Sequence, residues 1–447
     1  MQTIIRRFIP KEQEKTYLYL PFEVPSNTAS IAIGYRYEGD DGGSLPNAEK
    51  NCIDLGVIAP DGSDLGGRGS SVHYAYISPS YSTDGFRTCD LRPGTYQVLL
   101  GAYLVRQEGV EVEITITVTS GSKSYFRGDT HIHTTRSDGV KKLWQIPRLL
   151  QKRRLQFGFI TDHNQKLTDI SLPQSRRALL IAGYEWTNYH GHVNFLGVDA
   201  PFDGTYAIDT PQELLRYCRQ AKERGAMVSV NHPTCCYCPF RFDVEAFDFD
   251  GMEVWNGPMR INNLQAVELW DGLLQKGKKI VALGGSDYHR DYFVLKMLGA
   301  PCVEVEAERL SADSILQAVK EGKVTIYDRP DRARLTLAAG EATTGDTVAW
   351  QQGMAVKAVA EKLKKGETLR LIANGRTIAE RTAKRTGRVE LSATIEERGY
   401  VRAEIRYRKK GLSLLLHKLV MSVMIPSEAK LPVPPFLRAM TNPIYLD

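Results

Sequence analysis

The chain has 447 residues, 42% hydrophobic and 25% charged, the balance of a globular protein of two to four domains. A net charge of +6 is small for this length, and without a clustered basic and aromatic motif it gives no support to nucleic-acid binding. Seven cysteines, an odd number without regular spacing, argue against a disulfide framework.

Residues 1–122 are predicted to be all-β. Leu18-Tyr-Leu-Pro-Phe and Ile31-Ala-Ile-Gly-Tyr are short alternating runs, and residues 110–118 alternate strictly between aliphatic residues and Glu or Thr. Turn signals at Gly39-Asp-Asp-Gly-Gly, Pro60-Asp-Gly and Arg92-Pro-Gly separate such runs, which suits a β-sandwich or jelly roll. The first residues, Met1-Gln-Thr-Ile-Ile-Arg-Arg-Phe, lack the apolar core of a secretory signal.

Residues 123–327 change to strand–helix alternation, the pattern of a parallel sheet or barrel. Thr210 is expected to cap a helix over residues 210–224, with Pro211 in its first turn, Glu213 as capping-box partner and Gly225 after its end. Two further helices are expected over residues 264–276 and 311–321, closed by Gly277 and Gly322. From residue 328 to 447 the pattern is β again, with Asn374-Gly as a hairpin signal, and a second β-sandwich is expected there. The apolar stretch 412–425, broken by His417 and Lys418, is too short to span a bilayer. A reduced cytoplasm and no membrane partner are therefore expected.

The chemistry is concentrated in the middle segment. Seven of the nine histidines fall between residues 131 and 289. Metal-ligand types recur there in the order His131, His133, Asp138, His163, Glu185, His192, His232, Asp287 and His289. His131 and His133 are two apart on a predicted strand end, so both imidazoles face one way. Asp287 and His289 repeat the spacing. His163, Glu185 and His232 each follow a short apolar run, at the C-terminal strand ends where (β/α) barrels keep their chemistry. Imidazole and carboxylate together suit Zn, Mn or Fe. His190 competes with His192, and the Gly191-His-Val-Asn context favours His192. Asp129 and Asp162, beside ligating histidines, either orient imidazoles or cap strand ends. Cys235, Cys236 and Cys238 are read as the lining of a loop. Arg136, Arg260 and Arg290 lie in or near strand-end loops and are candidate clamps for a phosphate or carboxylate.

The ordered set His131-Ile-His, Ser137-Asp-Gly, Thr161-Asp-His, Gly183-Tyr-Glu, Gly191-His-Val-Asn, Asn231-His-Pro and Gly285-Ser-Asp-Tyr-His resembles the polymerase and histidinol phosphatase (PHP) superfamily. Gly67-Arg-Gly-Ser-Ser, Pro93-Gly-Thr-Tyr-Gln-Val and Thr441-Asn-Pro-Ile-Tyr narrow the resemblance to the CehA/McbA branch. The resemblance implies a multidomain α/β plus all-β protein, in which a distorted (β/α)7 barrel is flanked by two β-sandwich domains. It implies two or three divalent metal ions. His131, His133, Glu185 and Asp287 would hold one ion, and Asp138, His163 and His289 a second. Glu185 would reach a third, held also by His192 and His232. Asp287 and His289 are the expected catalytic residues. Two features depart from the family pattern: residues 140–156 are basic and contain Pro147, expected to kink a helix, and the cysteine cluster follows Asn231-His-Pro. The implied activity is hydrolysis by metal-activated water, foremost of a small anionic phosphomonoester or phosphodiester. The alternatives are a carbamate, amide or carboxylic ester hydrolase, and a non-catalytic metal- or glycan-binding module.

Overall fold

The computed structural model of the chain describes residues 1–39, 50–292 and 295–447, the side chains at 423, 424 and 427 excepted. The turn expected at Gly39-Asp-Asp-Gly-Gly lies outside the described residues from residue 40 onward. The chain divides into two compact units.

The first unit comprises Met1–Ser124, Gln174–Leu179 and Glu308–Ser311. It holds two four-stranded antiparallel sheets. One has the order Gln2–Ile9, Val110–Ser120, Thr28–Tyr37, Tyr74–Ile77, and the other Tyr17–Val24, Gly94–Leu104, Cys52–Ile58, Asp64–Arg68. The strict alternation of residues 110–118 turns Val110, Val112, Ile114, Ile116 and Val118 inward. They meet Val98, Leu100, Val57 and Leu55 of the second sheet in one apolar core.

The second unit comprises Tyr125–Pro173, Leu180–Ala307 and Ala312–Asp447. Its main sheet begins in the order Val281–Gly285, Gly251–Asn256, Met227–Val230, Gly191–Leu196, Leu179–Asn188, Phe157–Ile160, Ser124–Ile132. The sheet curls back on itself. The Tyr288 amide donates to the His131 carbonyl at 3.2 Å, and the His133 amide donates to the Tyr288 carbonyl at 3.0 Å. Residues just beyond the first strand of that order are thereby tied to its last. The strand interiors are apolar on both faces (the adjacent pairs Phe159 and Ile160, Met227 and Val228, Val254 and Trp255, and Ala282 and Leu283 are all buried), as expected for a sheet covered on both sides.

The protein is mostly β, with fewer helices than a full strand–helix alternation requires. Ile146–Lys152, Pro211–Glu223, Ile261–Gln275 and Ala312–Lys320 are the described α-helices of the central segment. Leu179–Asn188 and Gly191–Leu196 are joined directly as an antiparallel hairpin, and Gly191–Leu196 is also antiparallel to Met227–Val230. Gly191, at φ 122°, permits that hairpin. Thr210 caps Pro211–Glu223 in a complete capping box with Glu213, as its sequence implies. Pro147 stands in the first turn of Ile146–Lys152, where its missing N–H costs nothing, so it starts the helix and does not kink it.

Residues 328–447 do not form a compact unit of their own. Val324–Tyr327 pairs with Phe436–Thr441, so the main sheet runs on through Gly399–Tyr407, Thr368–Ala373 and Arg376–Thr382. Side chains strengthen the join. Arg402 Nε donates to Asp271 of Ile261–Gln275 at 2.8 Å, and both are nearly buried. Asn442 is bonded through its side chain to the amide and carbonyl of Ala282. A further sheet, Ala342–Thr343, Leu335–Ala339, Met354–Leu363, Gly387–Ile395, completes this region. The Asn374-Gly375 turn has both residues at positive φ, 47° and 77°, as a type I′ hairpin requires. Among the described residues no helix is long and apolar enough to cross a membrane.

Candidate metal centre

Seven segments deliver nine side chains to one end of the curled sheet. His131 and His133 come from the end of Ser124–Ile132, and both are fully buried. Their approach depends on Gly285 of the strand Val281–Gly285. A Cβ there would lie 2.4 Å from His131 Cβ and 2.6 Å from Glu253 Oε1, so only glycine fits without a shift.

Glu185 is the hub. It is fully buried, and five imidazoles face its carboxylate. Its Oε1 lies 3.2 Å from His131 Nε2, 3.1 Å from His192 Nδ1 and 3.8 Å from His232 Nε2. Its Oε2 lies 2.7 Å from His163 Nδ1 and 3.4 Å from His133 Nε2. Asp287 Oδ1 closes the inner group, 3.0 Å from His133 Nε2 and 3.5 Å from His131 Nε2. Asp138, the most exposed of the nine, lies 3.1 Å from His289 Nε2 and 3.7 Å from His163 Nε2.

The donor atoms form overlapping sets, each within 4.8 Å: His131, His133 and Asp287; His133, Asp138, His163 and His289; His163, Glu185 and His192; and His192, His232 and Cys238. Every one of the nine sequence-derived candidates belongs to at least one set. A geometric test supports a cation here. His131 Nε2, His133 Nε2, Glu185 Oε2 and Asp287 Oδ1 are all buried and make no hydrogen bond. Buried polar atoms are almost always satisfied. Four unsatisfied ligand atoms, two of them carboxylate oxygens, linked in a chain by N···O separations of 3.5, 3.0 and 3.4 Å, are what a bound divalent ion would complete.

The same crowding sets the electrostatics of the metal-free side chains. Burial pushes the His131 pKa down, but Glu185, Glu253 and Asp287 outweigh it and hold it well above the usual imidazole range. Burial likewise pushes His232 down, but Glu185, Glu253 and Asp287 overcome it and raise its pKa to about 9. Glu185 is driven the other way. Its desolvation is more than offset by His131, His192 and His163, so it stays ionised far below the ordinary carboxylate range. For His133 desolvation prevails and the pKa falls.

Two of the candidate ligands adopt left-handed backbone, Asp287 at φ 51° and His232 at φ 29°. Such conformations are uncommon outside glycine and cluster at functional sites. They turn the chain sharply just beyond the strands Val281–Gly285 and Met227–Val230, aiming the side chains across the sheet end.

The surrounding polar residues sort into distinct tasks. Asp129 holds backbone: it accepts from the amides of His131, Ser286 and Gly299 and from Ser286 Oγ. Burial pushes its carboxyl up to about 6 against those hydrogen bonds. Asp162 accepts from Thr134 N, Thr134 Oγ1 and Ser137 Oγ, fixing the loop that carries Asp138. Both act as backbone clamps, and neither bonds an imidazole. His190 stacks on Phe242, with ring centres 4.5 Å apart, and belongs to no ligand set.

The residues that do orient imidazoles are not singled out by the sequence. His131 Nδ1 donates to Glu253 Oε1 at 3.0 Å, and His163 Nδ1 lies 2.6 Å from Thr187 Oγ1. Asn231 Nδ2 donates to Glu185 Oε1 at 2.7 Å, and Asn256 Nδ2 donates to Glu253 Oε2 at 3.0 Å. The available signal is a lone carboxylate in the apolar strand Gly251–Asn256, which alternation alone does not place at a metal site. Cys238, expected only to line a loop, stands beside His232 and His192.

The three arginines are not drawn into the ligand sets. Arg136 Nη2 donates to the Lys166 carbonyl at 3.2 Å, Arg260 occupies the N-cap of Ile261–Gln275, and Arg290 is exposed. The Nε atoms of Arg136 and Arg260 are buried without a partner.

No protein-family model matches the chain, and no curated protein matches it. Among solved structures it is similar to a two-domain protein from Bacteroides vulgatus described as containing a predicted PHP-like metal-dependent phosphoesterase. That match has 19% identity and TM-score 0.38, over 63% of this chain and 90% of that one. It is also similar to a protein from Bifidobacterium adolescentis described as a metal-dependent phosphoesterase (16% identity, TM-score 0.25, 36% of this chain and 87% of that one). A third is an amidohydrolase from Chromobacterium violaceum with bound sulfate and no metal (17% identity, TM-score 0.25, 36% and 87%).

Proposed function

We propose that this chain is a metal-dependent hydrolase of the PHP type, a phosphoesterase acting on a small anionic phosphomonoester or phosphodiester. In this reading residues 123–327 form that superfamily's distorted (β/α)7 barrel. Residues 1–122 and 328–447 act as β-rich flanks without catalytic groups. The observation that carries the reading is the cluster of four buried, unbonded ligand atoms around Glu185 and Asp287.

His131, His133, Glu185 and Asp287 would hold one ion. Asp138, His163 and His289 would hold a second, and Glu185, His192 and His232 a third. Zn, Mn or Fe suits these donors. Divalent ions bound there would make water acidic near neutral pH and polarise a phosphoryl or acyl oxygen.

The remaining steps belong to the chain. Glu253 fixes His131 with its proton on Nδ1, leaving Nε2 as the ligand atom. His289 is fixed likewise, since its Nδ1 lies 2.9 Å from the Asp287 carbonyl, to which it donates. His289 therefore offers only Nε2, as a ligand or as an acid toward the leaving group, but not both at once. Asp287 has Oδ1 among the imidazoles and Oδ2 within 3.3 Å of Asn256. Its carboxylate can accept a proton from water held beside it. Arg136, Arg260 or Arg290 would recognise the anionic group.

The test is elemental analysis of protein purified without chelator, followed by a screen of phosphomonoesters, phosphodiesters, carbamates and aryl esters. Two to three ions per chain, phosphoester turnover, inhibition by inorganic phosphate and a raised KM on replacing one of the arginines by alanine are expected. Faster turnover of neutral carbamates without phosphate inhibition would replace phosphoester hydrolysis by carbamate hydrolysis. A protein that neither retains nor takes up metal would refute the whole reading.

A further inference from the structure

The loop after the strand Met227–Val230 carries a group that the nine-ligand pattern does not contain. His232, nearly buried and in left-handed backbone, begins a tight turn in which its carbonyl accepts from the Cys235 amide at 2.9 Å. The Pro233 carbonyl accepts from the Phe240 amide at 3.1 Å, and Thr234 Oγ1 donates to the Asn262 carbonyl at 2.6 Å. These bonds fold the loop back on its own start. Cys238 returns to within 3.8 Å of His232 Nδ1 and 3.5 Å of Cys235 Sγ. Its sulfur, a nitrogen of His232 and a nitrogen of His192 all lie within 4.8 Å of one another. By contrast Cys236 is exposed, and the Tyr237 side chain is 67% exposed. One cysteine of the three is thus folded back onto the histidine pair, and a second lies behind it.

We propose that Cys238 is a metal ligand, completing with His192 and His232 a mixed nitrogen–sulfur site at one side of the centre. This rests on the reading that the centre binds divalent ions, and it adds a donor of different chemistry. A thiolate is a soft ligand, so this position selects Zn, Co or Fe over Mn or Mg, while the inner carboxylate-rich position does not discriminate in that way. The thiol must lose its proton as the ion binds, so filling this position releases a proton to solvent. Cys235 supports the loop behind Cys238 and is not needed as a donor.

Full-length protein kept under a phosphine reductant, stripped by chelator and titrated with Co(II), tests this directly. The wild type is expected to develop the near-ultraviolet sulfur-to-cobalt charge-transfer band as one position fills. Cys238→Ser should lose that band, keep the weaker visible bands of the other positions, and bind its last equivalent at least about tenfold more weakly. Cys236→Ser should behave as wild type. Co(II) binding without the band in wild type, or a band that survives in Cys238→Ser, overturns the assignment and leaves the metal centre itself intact. Failure of the wild type to bind Co(II) at all overturns both. Should Cys238→Ser not fold, the wild type still decides. Zn(II) should protect Cys238 from iodoacetamide while Cys236 stays reactive, as read by peptide mass mapping. Equal alkylation of Cys238 with and without Zn(II) refutes the proposal.

Discussion

Glu253 offers a sharp test, because its replacement by glutamine keeps the shape of the side chain and changes only its hydrogen-bond polarity and the charge it sets against His131 and His232. The side chain is 2% exposed and receives three donors. His131 Nδ1 donates to Oε1 at 3.0 Å, while Asn256 Nδ2 and the His232 amide donate to Oε2 at 3.0 and 3.2 Å. A carboxylate accepts on both oxygens, but a carboxamide accepts on only one. If the introduced carboxamide turned its oxygen toward His232 and Asn256, its NH2 would face His131 Nδ1. That nitrogen could then only accept, which moves the imidazole proton to Nε2, the atom facing Glu185 and Asp287. If it turned the other way, two buried donors would lose their acceptor. Asn256 cannot relieve this by flipping without giving up its contact to Asp287 Oδ2. The second arrangement costs about 1–3 kcal/mol of stability, the usual penalty for an unmade buried hydrogen bond, whereas the first keeps the three bonds but puts the proton on the nitrogen needed as a ligand. Metal affinity should fall about 10–100-fold, the range for removing the partner of a ligating histidine, or roughly 1.4–2.7 kcal/mol. Chelator competition gives the affinity, and thermal unfolding with and without metal gives the stability. On a substrate found by screening, kcat should fall with little change in KM. A folded Glu253→Gln protein whose affinity and kcat stay within about threefold of wild type would show that Glu253 does not position His131.

Three further outcomes are expected. Asp287→Asn, chosen because asparagine tolerates the left-handed backbone at φ 51°, should keep native circular dichroism and lose turnover by more than about a hundredfold; turnover within about tenfold of wild type would remove Asp287 from the centre. Gly285→Ala, whose methyl would press on His131 and Glu253 together, should cost about 1–3 kcal/mol and weaken metal binding, and a variant with unchanged Tm and affinity would contradict the packing. The third concerns pH. His232 is raised to about 9 in the folded metal-free chain, so its contribution to stability is complete below the unfolded value near 6.5 and is lost as pH rises through about 9. The Tm of metal-free protein should therefore fall across that window. Metal affinity should rise over the same window, because ligation needs neutral imidazole; parallel pH trends in both would refute the coupling.

The cluster of candidate ligands was legible in the sequence because each member carries its own chemistry, and the structure brings all nine together. His131 and His133 identify themselves by spacing, and Asp287 and His289 repeat it. The helix Pro211–Glu223 was legible because Thr210 and Glu213 form a local capping box that needs no tertiary partner. What the sequence concealed depends on partners distant along the chain. Leu179–Asn188 and Gly191–Leu196 are apolar runs that suit a parallel or an antiparallel strand equally. Only the short Tyr189–His190 connection hints that no helix can intervene. The continuity of the main sheet into residues 328–447 rests on pairing between Val324–Tyr327 and Phe436–Thr441, more than a hundred residues apart, and no local pattern records that register.

The direction of a side chain is harder to read than its identity, and Asp129, Asp162 and Glu253 show why. All three are carboxylates near candidate ligand histidines, and the two close to them in sequence are the two that bond no imidazole. Asp129 stands two residues before His131, on the same face by strand alternation, but its carboxylate is taken up by the amides of His131, Ser286 and Gly299 and by Ser286 Oγ. Glu253 is 122 residues from His131, but its strand delivers it to the same face of the curled sheet. The carboxylate that holds an imidazole here thus comes from a strand distant in sequence, while the oxygens of the two sequence neighbours are already taken by backbone amides and hydroxyls. By the same logic Thr187, two residues beyond Glu185 on one strand, shares its face and reaches His163. A lone acid within an otherwise apolar central strand is the pattern that would have found Glu253, whereas an even step alone does not suffice: Asp129 stands at such a step from His131 and bonds no imidazole.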